Sequence, residues 1–149
     1  RDANSLFDGG QFVYAPTPFL EYMRSLMFGG HTPSACHHFV RELEKRGQLQ
    51  RNYSQNIDAL ERAAGIDRLV CLHGSTAQAC CLACQSTDDV TLTHEALRSG
   101  QTPRCSKCNH ELNSLKPDVA FFGDVAERTE DNEIALREDL PQSDLLLVL

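Results

Sequence analysis

The chain has 149 residues, 41% of them hydrophobic and 23% charged, with a formal net charge of −7. That composition fits one ordinary globular domain and excludes a disordered chain. The negative balance argues against nucleic-acid backbone binding, which needs a basic face, and leaves a basic peptide open as partner; no signal-peptide pattern and no membrane-spanning apolar run is present.

Residues 1–16 carry Gly9, Gly10 and Pro16 and read as a loop with short helical turns. Thr17-Pro18 then opens a helix, with Thr17 as cap and Pro18 at the first helical position. Phe19, Tyr22, Met23, Leu26 and Met27 share one face of it, and Gly29-Gly30 ends it. Thr32-Pro33 repeats the start signal for a second helix, with Cys36, Phe39, Val40 and Leu43 as its apolar stripe and Gly47 as its stop.

Leu49 to Tyr53 reads as a strand, Ile57 to Ala64 as a short helix closed by Gly65, and Arg68 to Leu72 as a continuous apolar strand. Val119–Phe122 and Leu145–Leu149 read as two more strands, and Glu127 to Leu140 as a helix with Pro141 just beyond. Strands alternating with helices predict an α/β fold with a mostly parallel sheet. Residues 75–114 interrupt the alternation and read as a small inserted module, flanked by segments 1–74 and 115–149. The chain opens on Arg1 rather than Met and closes on a buried-strand pattern, so it reads as a fragment of a larger domain, cut at both ends.

The strongest chemical signal is Cys81-x-x-Cys84 followed, twenty residues later, by Cys105-x-x-Cys108. Each pair can form a tight knuckle aiming two sulfurs at one ion, and the interval suits a tetrahedral four-cysteine zinc site of structural type. A redox Cys-x-x-Cys would need only one pair. Cys80 competes with Cys81 as first ligand on spacing alone, and His110 is a less natural substitute. Seven cysteines, clustered and odd in number, read as reduced thiols, placing the chain in cytosol or nucleus.

Gln55-Asn56-Ile57-Asp58 falls at a strand-to-helix junction, where open α/β sheets bind ligands. Amide and carboxylate groups there suit ribose hydroxyls or a carboxamide. Taken alone, helix capping is the better account of one of Asn56 and Asp58, but it does not explain three polar residues together. His73-Gly74 follows the next strand, and a histidine there suits a general base, although a lone histidine is more often structural. Lys116-Pro117-Asp118 leads into Phe121-Phe122-Gly123-Asp124, which reads either as a peptide-binding edge or as a plain core strand with a turn.

These residues resemble the sirtuins, the NAD-dependent protein lysine deacylases. The resemblance rests on Arg51-Asn52-Tyr53-Ser54-Gln55-Asn56-Ile57-Asp58-Ala59-Leu60-Glu61-Arg62-Ala63-Ala64-Gly65-Ile66, on His73-Gly74-Ser75, on the two Cys-x-x-Cys pairs and on Leu115-Lys116-Pro117-Asp118 with Phe121-Phe122-Gly123, all in register over nearly the whole chain. Arg51-Asn52-Tyr53 and Cys81-Leu82-Ala83-Cys84 look most like the class I branch, which includes nuclear histone deacetylases, so a nuclear rather than cytoplasmic location is favoured.

The resemblance implies a Rossmann-like sheet carrying a zinc module and a defined reaction. The acyl oxygen of an acyl-lysine attacks the ribose of NAD, nicotinamide leaves, and the acyl group passes to ADP-ribose. His73 matches the catalytic base that deprotonates a ribose hydroxyl. Gln55, Asn56, Ile57 and Asp58 match the nicotinamide-ribose pocket, and Arg1 matches the arginine ending the cofactor-loop motif. Ala120 matches the residue whose carbonyl holds the acyl-lysine; Phe122, Gly123 and Asp124 match the edge pairing with the substrate backbone. The implied partner is an acyl-lysine protein or peptide, histone among them, with no nucleic acid and no membrane.

Departures accompany the match. Thr76 stands where many members have Phe, Ala120 where Val or Ile is usual, and Asp124 where Glu is usual. The family's glycine-rich opening would precede Arg1 and its Gly-Thr/Ser-Ser segment would follow Leu149, so weak NAD binding is expected of this stretch alone. The alternative expectation is a non-catalytic binding or scaffold protein of the same fold; a zinc-ribbon module unrelated to NAD explains the cysteines but not Gln55 to Asp58 or His73.

Overall fold

A computed structural model describes residues 3–88, 90–108, 110–111, 114–122, 132–133 and 135–149. A 3-10 turn over Ala3–Phe7 leads into helix α1, Gly9–Tyr14. Asp8 caps α1 by accepting the Gln11 N–H at 2.7 Å, giving one of the short helical turns expected in this stretch. Helix α2 spans Thr17–Phe28, with Pro18 in its first turn and Pro16, not Thr17, at the cap position. The next helix, α3, spans Ala35–Lys45 rather than beginning at Thr32-Pro33. Ser34 takes the cap because its hydroxyl and N–H both pair with His37 Nδ1, at 2.8 and 3.2 Å. Of its expected stripe Val40 is buried, whereas Phe39 and Cys36 are exposed.

Gly47 ends α3 at φ +68°. The Gly47 N–H donates to Glu44 O and the Gln48 N–H to Leu43 O, both at 2.9 Å, the paired bonds of a Schellman turn that favours glycine.

Strand β1, Asn52–Ser54, pairs in parallel with β2, Leu69–Cys71, in the register Asn52↔Leu69 to Ser54↔Cys71. Helix α4 between them is Leu60–Ala63, three residues later than expected. Asp58 accepts the Leu60 N–H at 3.0 Å, and Ala59 sits in the left-handed region at φ 61°. Gln55 to Asp58 therefore form a loop rather than a helical turn. This α/β unit with a parallel pair agrees with the predicted class.

Three further strands form an antiparallel sheet in the order β4-β3-β5: Gly74–Cys81 is β3, Thr87–Asp88 is β4 and Leu115–Val119 is β5. Here β5 begins four residues before the expected Val119. Its Pro117, which has no N–H to donate, is tolerated on an edge strand. Ser75 pairs with Asp118 but Ala79 pairs with the adjacent Pro117, so Thr76, Ala77 and Gln78 bulge. Gly74, before the bulge, and Thr76, its first residue, are buried; beyond it the buried positions are Ala79 and Cys81. An odd number of extra residues has exchanged the two faces of the strand.

Helix α5, Val90–Arg98, packs on α2 and on this sheet. The core joins Phe12, Phe19, Leu20, Met23, Leu97, Val119 and Phe121, with Phe7 and Ile57 against it. Phe19 and Phe121 meet edge to face with centroids 4.9 Å apart. Buried Lys116 donates to Val119 O at 2.7 Å and lies 4.5 Å from the Phe121 ring centroid.

Of the expected Glu127–Leu140 helix, residues 127–131 and 134 lie outside the described residues, while 132–133 and 135–139 are helical. A 3-10 turn, Leu140–Gln142, contains Pro141. Leu145–Leu149 is not a strand: it has no regular structure, and its side chains are exposed. An apolar run pays for strand formation only when partners cover both faces, and none does here among the described residues. No helix among the described residues is long and apolar enough to cross a membrane.

Candidate active site and metal centre

The two parallel strands deliver two chain segments to one edge. Leu72 N–H donates to Ser54 O at 2.8 Å, extending the pairing so that His73 arrives beside Gln55. His73 Nδ1 then lies 3.1 Å from Gln55 O. A carbonyl only accepts, so Nδ1 carries a proton, and in the neutral ring Nε2 is the nitrogen with the lone pair. The His73 side chain is exposed. Ala120 joins the same edge, its N–H donating to His73 O at 2.9 Å.

The loop after β1 is held by its own residues. Asn56 N–H donates to Ser54 Oγ at 3.1 Å, and Asn56 Nδ2 to Glu61 Oε1 at 3.3 Å. The Ser54 hydroxyl donates to the same Glu61 oxygen. Ile57 turns toward the aromatic core, while Gln55 and Asn56 stay exposed and Asp58 half-buried. Asp58 accepts the N–H of Leu60, the first residue of α4, from one position before the cap, which is Ala59; the Gln55 side chain is exposed.

Phe122 is exposed, and its N–H donates to Phe7 O at 2.9 Å, in a parallel bridge of Phe122 with Asp8. Arg1, Gly123 and Asp124 lie outside the described residues. A cleft of about 510 Å³ lies beyond this edge, lined by Arg62, Cys71, Gly74, Ser75, Asp118 and Asn132 among others. Neither His73 nor the Gln55–Asp58 loop lines it.

One polar cluster escaped the sequence reading. Asp139 is buried and accepts from Arg51 Nε at 2.9 Å, from Gln50 Nε2 at 3.3 Å and from the Tyr53 hydroxyl. It ties the helical residues 135–139 to the strand that leads into the Gln55 loop. The Arg51 bond, then the Tyr53 hydroxyl, hold the Asp139 carboxyl down at about 2. Burial, then Asp139, pushes the Tyr53 phenol up to about 12. These are two views of one interaction and do not add.

A carboxyl depressed on folding stabilises fully above its unfolded value, about 4, and the contribution is lost as pH falls through about 2. It amounts to about 2 kcal/mol. Urea unfolding between pH 6 and pH 2 should show a shallower acid slope for Asp139→Asn than for the parent; parallel slopes would dismiss this role.

The four cysteines converge. The sulfurs of Cys81, Cys84, Cys105 and Cys108 all lie within 4.8 Å of one another. Cys81 to Cys108 is 3.8 Å and Cys84 to Cys105 is 3.9 Å. Tetrahedral zinc with bonds of about 2.3 Å requires sulfur separations of about 3.8 Å, so the donor set fits that ion in both chemistry and size. Lys107 N–H points at Cys105 Sγ at 3.3 Å, as expected of a knuckle. Ser86, through its hydroxyl 2.9 Å from the sulfur and then its N–H, holds the Cys84 thiol down at about 6. Cys80 is not a member: the bulge in β3 turns Cys81, not Cys80, inward beside Leu115.

Comparison with known proteins bears on the whole chain. A family model described as the Sir2 family matches residues 1–149. The chain is 40% identical over 147 residues to "NAD-dependent deacetylase sir2D" of Dictyostelium discoideum, covering 97% of the chain and 27% of that protein. It is 37% identical over 150 residues to "NAD-dependent protein deacetylase sirtuin-1" of Homo sapiens, covering 99% of the chain and 20% of the relative. It is 33% identical over 169 residues to "NAD-dependent histone deacetylase sirtuin-1" of Drosophila melanogaster, with 99% and 20% covered. The chain thus spans between a fifth and just over a quarter of the length of these curated relatives.

Proposed function

The chain belongs to the Sir2 family, and on that premise we propose that the protein carrying it is an NAD-dependent protein-lysine deacetylase. The observation that supports this most directly is the His73–Gln55 contact at 3.1 Å. It leaves Nε2 as an exposed proton acceptor beside a loop of amide and carboxylate side chains.

NAD, when bound, supplies a ribose carbon from which nicotinamide departs. Gln55, Asn56, Ile57 and Asp58 bind and orient its nicotinamide-ribose end. This assignment draws support from Gln55 and Asn56, which stand exposed with polar groups. His73 accepts the proton of a ribose hydroxyl at Nε2 while Gln55 O keeps Nδ1 protonated. Arg1, by its match to the family motif, contributes to the cofactor loop. Ala120, Phe122, Gly123 and Asp124 hold the acyl-lysine peptide; the exposed Phe122 and the anchoring of Ala120 N–H on His73 O support that placement beside the base. Zinc on Cys81, Cys84, Cys105 and Cys108 is structural, since four thiolates leave no open position.

The substrate is an acyl-lysine protein, histones included, and the site of action is the nucleus. Support for this comes from a relative in Drosophila melanogaster whose name specifies histone deacetylation. The full-length protein incubated with acetylated histone peptide and NAD should release nicotinamide in step with deacetylated peptide. Folded, zinc-loaded protein releasing none would reject the proposal.

A further inference from the structure

Glu61 is 5% exposed, and among the described residues it makes no ion pair. A buried carboxylate is costly unless its oxygens are hydrogen-bonded. The compensation comes from one closed ring. Asn56 N–H donates to Ser54 Oγ at 3.1 Å, the Ser54 hydroxyl donates to Glu61 Oε1, and Asn56 Nδ2 donates to that same oxygen at 3.3 Å. The two bonds that end on Glu61 Oε1 have a carboxylate as acceptor, the stronger, charge-assisted kind.

The ring has a directional consequence. An ionised carboxylate only accepts, whereas an amide has one donating and one accepting end. With Nδ2 committed to Glu61, the Asn56 amide cannot turn over, and its Oδ1 remains the end offered to a ligand. Ser54 adds a second restraint by fixing the Asn56 backbone at the end of β1, whose next carbonyl, that of Gln55, holds His73.

We propose that Glu61 is a positioning residue: it fixes the Asn56 amide so that its oxygen accepts a hydrogen bond from the nicotinamide-ribose end of NAD. This rests on the proposed role of Asn56 and adds the group that orients it. Glu61 touches neither cofactor nor substrate in this scheme.

The experiment is steady-state kinetics of the full-length protein with acetyl-lysine peptide and NAD. Glu61→Leu keeps the volume and removes the acceptor. Its KM for NAD should rise about five- to tenfold, the loss of one oriented hydrogen bond, with nicotinamide inhibition weakened in parallel and the peptide KM unchanged. Glu61→Gln, which retains one carbonyl oxygen for both donors, should stay within about threefold of the parent. In an Asn56→Ala background Glu61→Leu should add nothing further, a non-additivity that a purely structural role would not produce. If Glu61→Leu does not fold, Glu61→Asp, which withdraws the oxygen by one methylene, carries the same expectations.

Equal changes in the NAD and peptide KM values would overturn the proposal. So would an unchanged NAD KM in the Glu61 variants when Asn56→Ala raises it. If Asn56→Ala itself leaves NAD KM and nicotinamide inhibition untouched, the role of Asn56 has failed, and the proposal falls with it.

Discussion

Replacing His73 by alanine in the full-length protein should lower deacetylation by about 10²- to 10⁴-fold, the usual contribution of a positioned general base. Nδ1 is already committed to Gln55 O at 3.1 Å, so the ring is held in one tautomer and only Nε2 is free to take a proton. Because the partner is a backbone carbonyl, Gln55→Ala should leave that tautomer intact, and any loss it causes reports on ligand binding alone. His73→Asn offers an amide of similar size but no base, and should fall as far as the alanine variant. The exposed histidine carries little packing, so both His73 variants should melt within a few degrees of the parent. Undiminished deacetylation by His73→Ala would remove the histidine from the mechanism.

Cys105→Ser should abolish stoichiometric zinc binding and destabilise the module built on β3, β4 and β5. Structural zinc contributes about 10–16 kcal/mol in small finger peptides. The cluster here is part of a local core, with Cys81 and Cys105 packed against Leu115, so losing the ion also loosens apolar contacts. A fall in melting temperature of about 10 °C or more is expected. Elemental analysis and a thermal melt read both effects. Cys80→Ser serves as the matched control, because Cys80 lies outside the cluster; it should keep its zinc. Zinc content unchanged by Cys105→Ser would contradict the site.

What could be read from the sequence follows a physical division. The convergence of the four thiols is legible because metal ligation demands particular residue types at short spacing, and the place of His73 at a strand end follows from the apolar run before it. The parallel pair β1–β2 was legible from its flanking apolar runs and the intervening Gly65. Local competitions are harder to read: Asp8 caps a helix despite the Gly9-Gly10 pair beyond it, and Ser34 displaces Thr32 because His37 completes its cap. Asp58 and Ala59 delay α4 to Leu60, which turns a presumed helical turn into an open loop.

Long-range pairings were not legible at all. Asp139 meets Arg51 and Tyr53 across more than eighty positions, and nothing in local periodicity announces it. The pairing of β3 with β5 spans the whole metal-binding segment. Leu145 to Leu149 has the composition of a buried strand, but composition cannot supply the neighbours that strand burial requires.

The bulge at Thr76–Gln78 sets a parity rule for insertions and deletions. Counting from Gly74, beside His73, to Cys81, in the four-sulfur cluster, the strand must contain an odd bulge for Cys81 rather than Cys80 to face inward. A gain or loss of two residues in that interval would preserve which sulfur reaches the ion. A single-residue gain or loss would exchange the two adjacent cysteines, so the doublet Cys80-Cys81 gives this strand a thiol at the inward position in either frame.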